Sequence, residues 1–108
     1  IVTAIANDYG YAELFSRQVA GYGRRGDVFI GITTSGHSEN VLRGFVAAKR
    51  LNIATIALCG EPGLGNETPC DCLLACPSKV TARIQECHSI VAHILCDIVE
   101  KSLFGQDP

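Results

Sequence analysis

Gly31-Ile32-Thr33-Thr34-Ser35-Gly36-His37-Ser38-Glu39-Asn40 is the point in this chain where one residue pattern gives way to another. Upstream, Val28 to Ile32 is a continuous apolar run of the kind that forms a buried strand. Downstream, Val41, Leu42, Phe45, Val46 and Ala48 recur at helical spacing. The loop between them therefore sits at a strand's carboxyl end and opens a helix. Backbone N–H groups in a helix's first turn lack internal partners and carry the positive end of the helix dipole, so an anion placed there is stabilised. Thr33, Thr34, Ser35 and Ser38 add hydroxyl donors around Gly36. A nucleotide-binding P-loop carries a lysine after its glycine; none follows here, and a monophosphate fits better. The plainer reading is that Ser35 or Ser38 caps the helix. A cap uses one hydroxyl, and here four stand within six positions.

Outward from this loop the elements alternate. Ala12 to Ala20 reads as a helix, Val28 to Ile32 as a strand, Glu39 to Leu51 as a helix and Ala54 to Cys59 as a strand. A glycine-rich loop runs from Gly60 to Pro69, Cys72 to Ala75 forms a short third strand, and a helix from Ala82 to Phe104 stops near Gly105. Strands alternating with helices imply an α/β fold with right-handed crossovers and a parallel sheet flanked by helices. Ligands of such sheets bind beyond the strands' carboxyl ends, where Thr33 to Ser38 lie. Three strands make a thin sheet for two faces that both need cover. The chain also opens on Ile1-Val2-Thr3-Ala4-Ile5-Ala6, which is apolar, uncapped and suited to the interior of a fold. Both features lead to the expectation that an N-terminal part of the natural protein is missing.

The 108 residues carry a net charge of −2, with basic pairs only at Arg24-Arg25 and Lys49-Arg50. One domain spanning residues 1–108 is expected, with about two thirds of its unfolded surface buried. Scattered, slightly negative charge leaves no electrostatic footprint for nucleic acid. The apolar segments are too short and interrupted to span a bilayer, and no signal peptide opens the chain. A soluble, cytoplasmic protein is expected. The six cysteines raise the possibility of disulfides or zinc, yet Cys59, Cys87 and Cys96 fall within apolar patterns, where a thiol behaves as a small hydrophobe. Cys70, Cys72 and Cys76 lack the paired C-x2-C spacing of zinc ribbons. Structural thiols in a reducing compartment are the simpler expectation.

On the last helix, Ile84, Cys87, Ile90, Val91, Ile94, Leu95 and Ile98 fall on one broad face, and Gln85, Glu86, Ser89, His93, Asp97 and Glu100 on the other. The polar stripe suits a solvated surface. A histidine within it also suits a proton carrier or metal ligand, because imidazole titrates near neutrality. Gln85 and His93 lie about 12 Å apart along a regular helix and share one metal only if Gln85 occupies a frayed first turn. His88, on the border of the two faces, reads as structural or as a subunit contact.

Taken together, Ala6-Asn7-Asp8-Tyr9-Gly10-Tyr11, Gly26-Asp27-Val28 leading to Thr34-Ser35-Gly36-His37-Ser38, Ala82-Arg83-Ile84-Gln85-Glu86 and His93-Ile94-Leu95-Cys96 occur in an order that resembles the phosphoheptose isomerases. These are sedoheptulose 7-phosphate isomerases built on the sugar isomerase (SIS) domain, and nearly the whole chain resembles their C-terminal portion. The resemblance implies a flavodoxin-like sandwich. It matches Thr33, Ser35 and Ser38 to hydroxyls that hold the substrate phosphate, Thr34 to a sugar contact and Asp8 to an acidic residue near the substrate. Gln85 and His93 match zinc ligands of the metal-containing members, and His93 also matches the acid/base histidine. The family's catalytic glutamate and a Gly-Asn-Gly-Gly-Ser segment have no counterpart in these residues. His37 stands where members often carry Asn, and Ala82 where some carry Asp.

The implied reaction moves one proton between adjacent carbons of a ketose phosphate through an enediol, which requires a base, an acid and a stabiliser of the developing oxyanion. His93 would be one proton carrier. Phosphate held by the Thr33 to Ser38 loop would fix the far end of the sugar, and zinc, where present, would polarise the carbonyl or hydroxyl. Two other classes share the fold. A DnaA initiator-associating adaptor resembles the chain along its Arg-Ile-Gln-Glu helix but lacks the histidine kept here at position 93, and a sugar-phosphate sensor would bring a DNA-binding helix pair that is not visible. Family members form homotetramers with sites built across subunits. Independently, the last helix and the apolar opening present more apolar surface than three short strands cover, and such a patch marks an interface.

Overall fold

The computed structural model describes residues 1–105. Helix α1 (Val2–Tyr9) passes through a 3-10 turn at Tyr11–Glu13 into α2 (Leu14–Tyr22). Strand β1 (Val28–Thr33), helix α3 (Glu39–Arg50), strand β2 (Ala54–Cys59), strand β3 (Cys72–Ala75) and helix α4 (Thr81–Phe104) follow. The three strands are parallel in the order β1-β2-β3. Val28 pairs with Ala54 and Thr33 with Cys59, while Ile56 pairs with Cys72 and Cys59 with Ala75. The carboxyl ends of all three strands are therefore level, and the loops leaving them share one edge of the sheet.

One face of the sheet is well covered. Val41, Phe45 and Ala57 form the centre of the core, with Phe15, Phe29, Leu64 and Cys70 packed around it. Phe29 meets Phe45 edge to face at 5.1 Å between ring centroids, an arrangement that aromatic quadrupoles favour. Gly31 is required beneath this pair, because a Cβ there would lie 2.4 Å from the Phe45 ring. The α2–α3 packing carries a polar tie as well: Arg43 bonds both Glu13 and Glu39. A Ser16 hydroxyl bond, seconded by Arg43, holds the Glu13 carboxyl below the usual carboxylate range.

The other face is largely open. Val28, Ile30 and Ile32 alternate outward from β1 and are about half exposed. On α4 only Ile84 and His88 are buried. The expected apolar face of this helix is thus realised in part: Cys87, Val91 and Leu95 are half-buried, while Ile90 is 62% exposed, Ile94 52% and Ile98 54%. A helix in contact with a single strand buries only the narrow window of its circumference that faces that strand.

Most element boundaries fall where the residue pattern places them, including Ala54–Cys59 and Cys72–Ala75. The strand expected to end at Ile32 continues through Thr33, and the helix expected over Ala12 to Ala20 starts as a 3-10 turn and runs on to Tyr22. Ile1 to Ala6 form the start of α1, which has no side-chain cap and no residue buried by the described part of the chain. Gly105, at φ 61°, ends α4 in a left-handed cap, the role glycine fills without a Cβ penalty.

Candidate functional site

The hydroxyl loop forms a compact turn at the carboxyl end of β1. Gly36 N–H donates to the Thr33 carbonyl at 3.3 Å, and His37 N–H donates to Ser35 Oγ at 3.1 Å. Thr33 is buried, and its hydroxyl donates to Ser38 Oγ at 3.0 Å. Ser38 is the N-cap residue of α3, yet its side chain makes no capping bond. Simple capping therefore does not explain why these hydroxyls gather here. Among the described residues, the N–H groups of Glu39 and Asn40 have no acceptor. Glu39 Oε1 accepts from Arg43 Nε at 2.9 Å, which draws the carboxylate along the helix and leaves the first turn to its dipole. Ser35 is exposed and Thr34 and Ser38 half-buried, so the loop places three hydroxyls within a few residues of two N–H groups that have no acceptor.

A second loop holds this turn in place. Gly65 N–H donates to the Gly36 carbonyl at 2.8 Å, and Gly60 N–H donates to the Thr34 carbonyl at 3.2 Å. Gly36 has φ +74°, and a Cβ on it would sit 1.8 Å from the Gly63 carbonyl oxygen. A Cβ on Gly65 would in turn lie 2.2 Å from His37 Nδ1. The Gly60-to-Pro69 segment is thus a backbone buttress, a role that residue patterns alone did not reveal although its glycines at 60, 63 and 65 were the signal.

Helix α4 is clamped to the same end of the sheet. His88 is 7% exposed, and its Nε2–H donates to the Cys59 carbonyl at 3.0 Å. Because a carbonyl only accepts, the Nε2–H tautomer follows, and Nδ1 is a buried acceptor without a partner among the described residues. Cys59 pairs in register with Thr33, so His88 sets the second turn of α4 beside the strand end that carries the hydroxyl loop. The border residue is therefore structural within this chain, not solvated.

Gln85 and His93 both lie exposed on α4. The helix starts at Thr81, so Gln85 falls past the first turn, in regular helix rather than a frayed end. Two donors are too few for a zinc centre, which takes three or four protein ligands. No cluster of three His, Cys, Asp or Glu side chains suited to a metal occurs among the described residues. Burial, ahead of neighbouring thiols and carboxylates, pushes the Cys59 and Cys70 thiols up, which disfavours the thiolate that metals bind. Asp8 sits on α1 and accepts from Asn7 Nδ2 at 2.9 Å; α1 packs on the 3-10 turn and α2, and the 3-10 turn in turn packs on α3, the helix that the hydroxyl loop opens.

A cavity of about 520 Å3 lies at the opposite end of β2, lined by Lys49, Asn52, Thr55, Cys70 and Asp71 among others. Two of its polar groups, Asp71 and Thr55, are already engaged with one another. Asp71 Oδ2 accepts from Thr55 N–H at 2.8 Å, and Asp71 N–H donates to Thr55 Oγ1 at 2.9 Å. The hydroxyl loop, with donors left free, is the better candidate for a ligand.

The sequence profile of the SIS domain matches residues 1–60. The chain belongs to the SIS domain family. This SIS domain is 51% identical over 104 residues to the phosphoheptose isomerase of Sulfurimonas denitrificans, covering 96% of the chain and 53% of that protein. It is 50% identical over 106 residues to the phosphoheptose isomerase of Clostridium acetobutylicum, covering 98% of the chain and 54% of that protein. The solved phosphoheptose isomerase of Neisseria gonorrhoeae superimposes with a TM-score of 0.83 at 44% identity, over 91% of this chain and 56% of that one. The chain spans about half the length of the curated relatives it matches. No helix among the described residues is long and apolar enough to cross a membrane.

Proposed function

We propose that this SIS domain supplies the phosphate-binding end of an isomerase that converts sedoheptulose 7-phosphate to D-glycero-D-manno-heptose 7-phosphate through an enediol, in cytoplasmic heptose synthesis for lipopolysaccharide and related glycoconjugates. The observation that carries this reading is the clustering of Thr34, Ser35 and Ser38 at the helix start where α3 has free N–H groups, in a chain half identical to proteins named phosphoheptose isomerase. Thr33, buried, acts through Ser38 by holding its hydroxyl. With the phosphate fixed there, the sugar's reacting carbons extend away from the loop, and positioning of this kind lowers the barrier by several kcal/mol. His93 exchanges the proton between adjacent carbons, and a carboxylate from outside these residues is its partner. Gln85 and His93 would supply two ligands of a zinc ion, other donors coming from outside these residues; the bound ion would polarise the carbonyl. Asp8 would contact the sugar. His93, on the same helix as Gln85, speaks against the adaptor class.

Ser35→Ala in the intact protein is expected to weaken sedoheptulose 7-phosphate binding about 10-fold or more, since a hydrogen bond to a charged group is worth about 1.5–3 kcal/mol. The exposed Ser35 hydroxyl holds only a local turn, so folding should be little changed. Calorimetry decides this, and unchanged affinity removes Ser35 from the site. Gln85→Ala is expected to lower the zinc content of the purified protein, read by elemental analysis; full retention of zinc in the variant removes Gln85 as a ligand.

The same reading includes a homotetramer. It is supported by the half-exposed Val28, Ile30 and Ile32 face of β1 and the Ile90, Ile94 and Ile98 stripe of α4, which exceed the scattered single apolar residues of a monomer's surface. Light scattering of the intact protein is expected to give a tetramer mass, and a stable monodisperse monomer would contradict it.

A further inference from the structure

The two buried residues of α4 rest on a single peptide group. Along the whole helix only Ile84 and His88 are buried. Ile84 lies against Gly60, where an added Cβ would stand 2.4 Å from its Cδ1. His88 Nε2–H donates to the Cys59 carbonyl at 3.0 Å, and among the described residues no other side-chain hydrogen bond ties α4 to the sheet. The other end of the same peptide serves the hydroxyl loop, because Gly60 N–H donates to the Thr34 carbonyl at 3.2 Å. One planar amide therefore carries α4 on its oxygen and the hydroxyl turn on its nitrogen. Bonds at the two ends of an amide polarise it in the same sense, so each strengthens the other. Space filling does not explain the imidazole: Nδ1 is a buried acceptor without a partner among the described residues, and an orphaned acceptor is costly. A leucine would fill the place with no such loss.

We propose that His88 is a positioning residue of the isomerase: through the Cys59–Gly60 peptide it sets the rotation of α4, and with it the His93 imidazole, against the phosphate held at the hydroxyl loop. The proposal rests on the isomerase reading above. His88, being buried, acts through His93 rather than on the sugar itself. His93 lies five residues further on, about 7.5 Å along the axis of a regular helix. The apolar contact of Ile84 fixes how closely helix and sheet approach, whereas a directional bond also fixes rotation. A turn of α4 by about 10° would carry a side chain at roughly 6 Å from the axis through about 1 Å. A misplacement of about that size costs on the order of 10^2-fold in rate. The phosphate grip stands on other bonds, Gly65 N–H to the Gly36 carbonyl and Thr33 Oγ1 to Ser38 Oγ. Loss of the His88 bond should therefore disturb the chemical step more than binding.

The test compares His88→Leu, which fills the place without a donor, and His88→Gln, which keeps a terminal N–H, in the intact protein. Cys76 N–H also donates to the Cys59 carbonyl, at 2.9 Å, so that oxygen keeps a partner and both variants are expected to fold. Circular dichroism sets a temperature at which each is folded, and His88→Met takes the place of the leucine variant should that one unfold. His88→Leu is expected to lower kcat for sedoheptulose 7-phosphate about 10- to 100-fold, with KM changed less than about 3-fold. Inorganic phosphate should bind this variant as tightly as the unmodified protein in calorimetry. His88→Gln should recover most of the lost kcat, which a role in stability alone would not require. Unchanged kcat in His88→Leu, a loss carried by KM or by phosphate affinity instead, or equal losses in the leucine and glutamine variants would each overturn the positioning role and leave the isomerase reading standing. An unmodified protein without turnover would overturn the isomerase reading and the positioning role with it.

Discussion

His93→Gln in the intact protein should lower turnover of sedoheptulose 7-phosphate by about 10^2- to 10^4-fold, the usual contribution of a positioned proton carrier. Stability and assembly should be preserved. The side chain is exposed on α4 and enters none of the hydrogen bonds or ion pairs of the described residues. Glutamine is also a good helix former, so the helix itself tolerates the change. Turnover with circular dichroism and light scattering checks both halves of the expectation. Rates equal to those of the unmodified protein would remove His93 from proton transfer.

Gly36→Val should do the opposite, damaging the fold and the site together. At φ +74° a β-branched residue is strained by roughly 1–2 kcal/mol on backbone grounds alone. Its Cβ would also stand 1.8 Å from the Gly63 carbonyl oxygen, a backbone atom that moves only if the buttressing loop moves. The Gly65 N–H bond to the Gly36 carbonyl would go with it. A loss of about 3 kcal/mol or more in urea unfolding is expected, within the range of the largest single-residue effects. Gly26→Ala is the control: its φ is +98°, but nothing lies within 4 Å of the added Cβ, so only the conformational penalty remains. Equal stabilities for the two variants would show that the loop-on-loop packing is wrong.

The contrast between these two positions also marks what residue patterns reveal. The strand, hydroxyl turn and helix from Val28 to Arg50 were legible because hydrophobic period changes abruptly there and four hydroxyls have no other simple role. The packing of Gly63 against Gly36 was not, because it depends on a distant loop returning to within van der Waals contact. On α4 the periodicity identifies two stripes, yet it does not say which narrow window meets the sheet. His88 is buried because its Nε2–H finds the Cys59 carbonyl, a partner that helical phase cannot disclose. Helix α1 was missed for a related reason. None of its residues is fully buried and its start has no side-chain cap, so Ile1 to Ala6 lack the signals by which a surface helix is recognised.

The most direct test is to mix the intact protein with sedoheptulose 7-phosphate and follow the sugar by NMR. Conversion to the aldose 7-phosphate is predicted, with Ser35→Ala raising the concentration of substrate needed and His93→Gln slowing the conversion by about 10^2- to 10^4-fold at any concentration. Recovery of the ketose unchanged, from protein that is folded and supplied with zinc, would contradict the assignment.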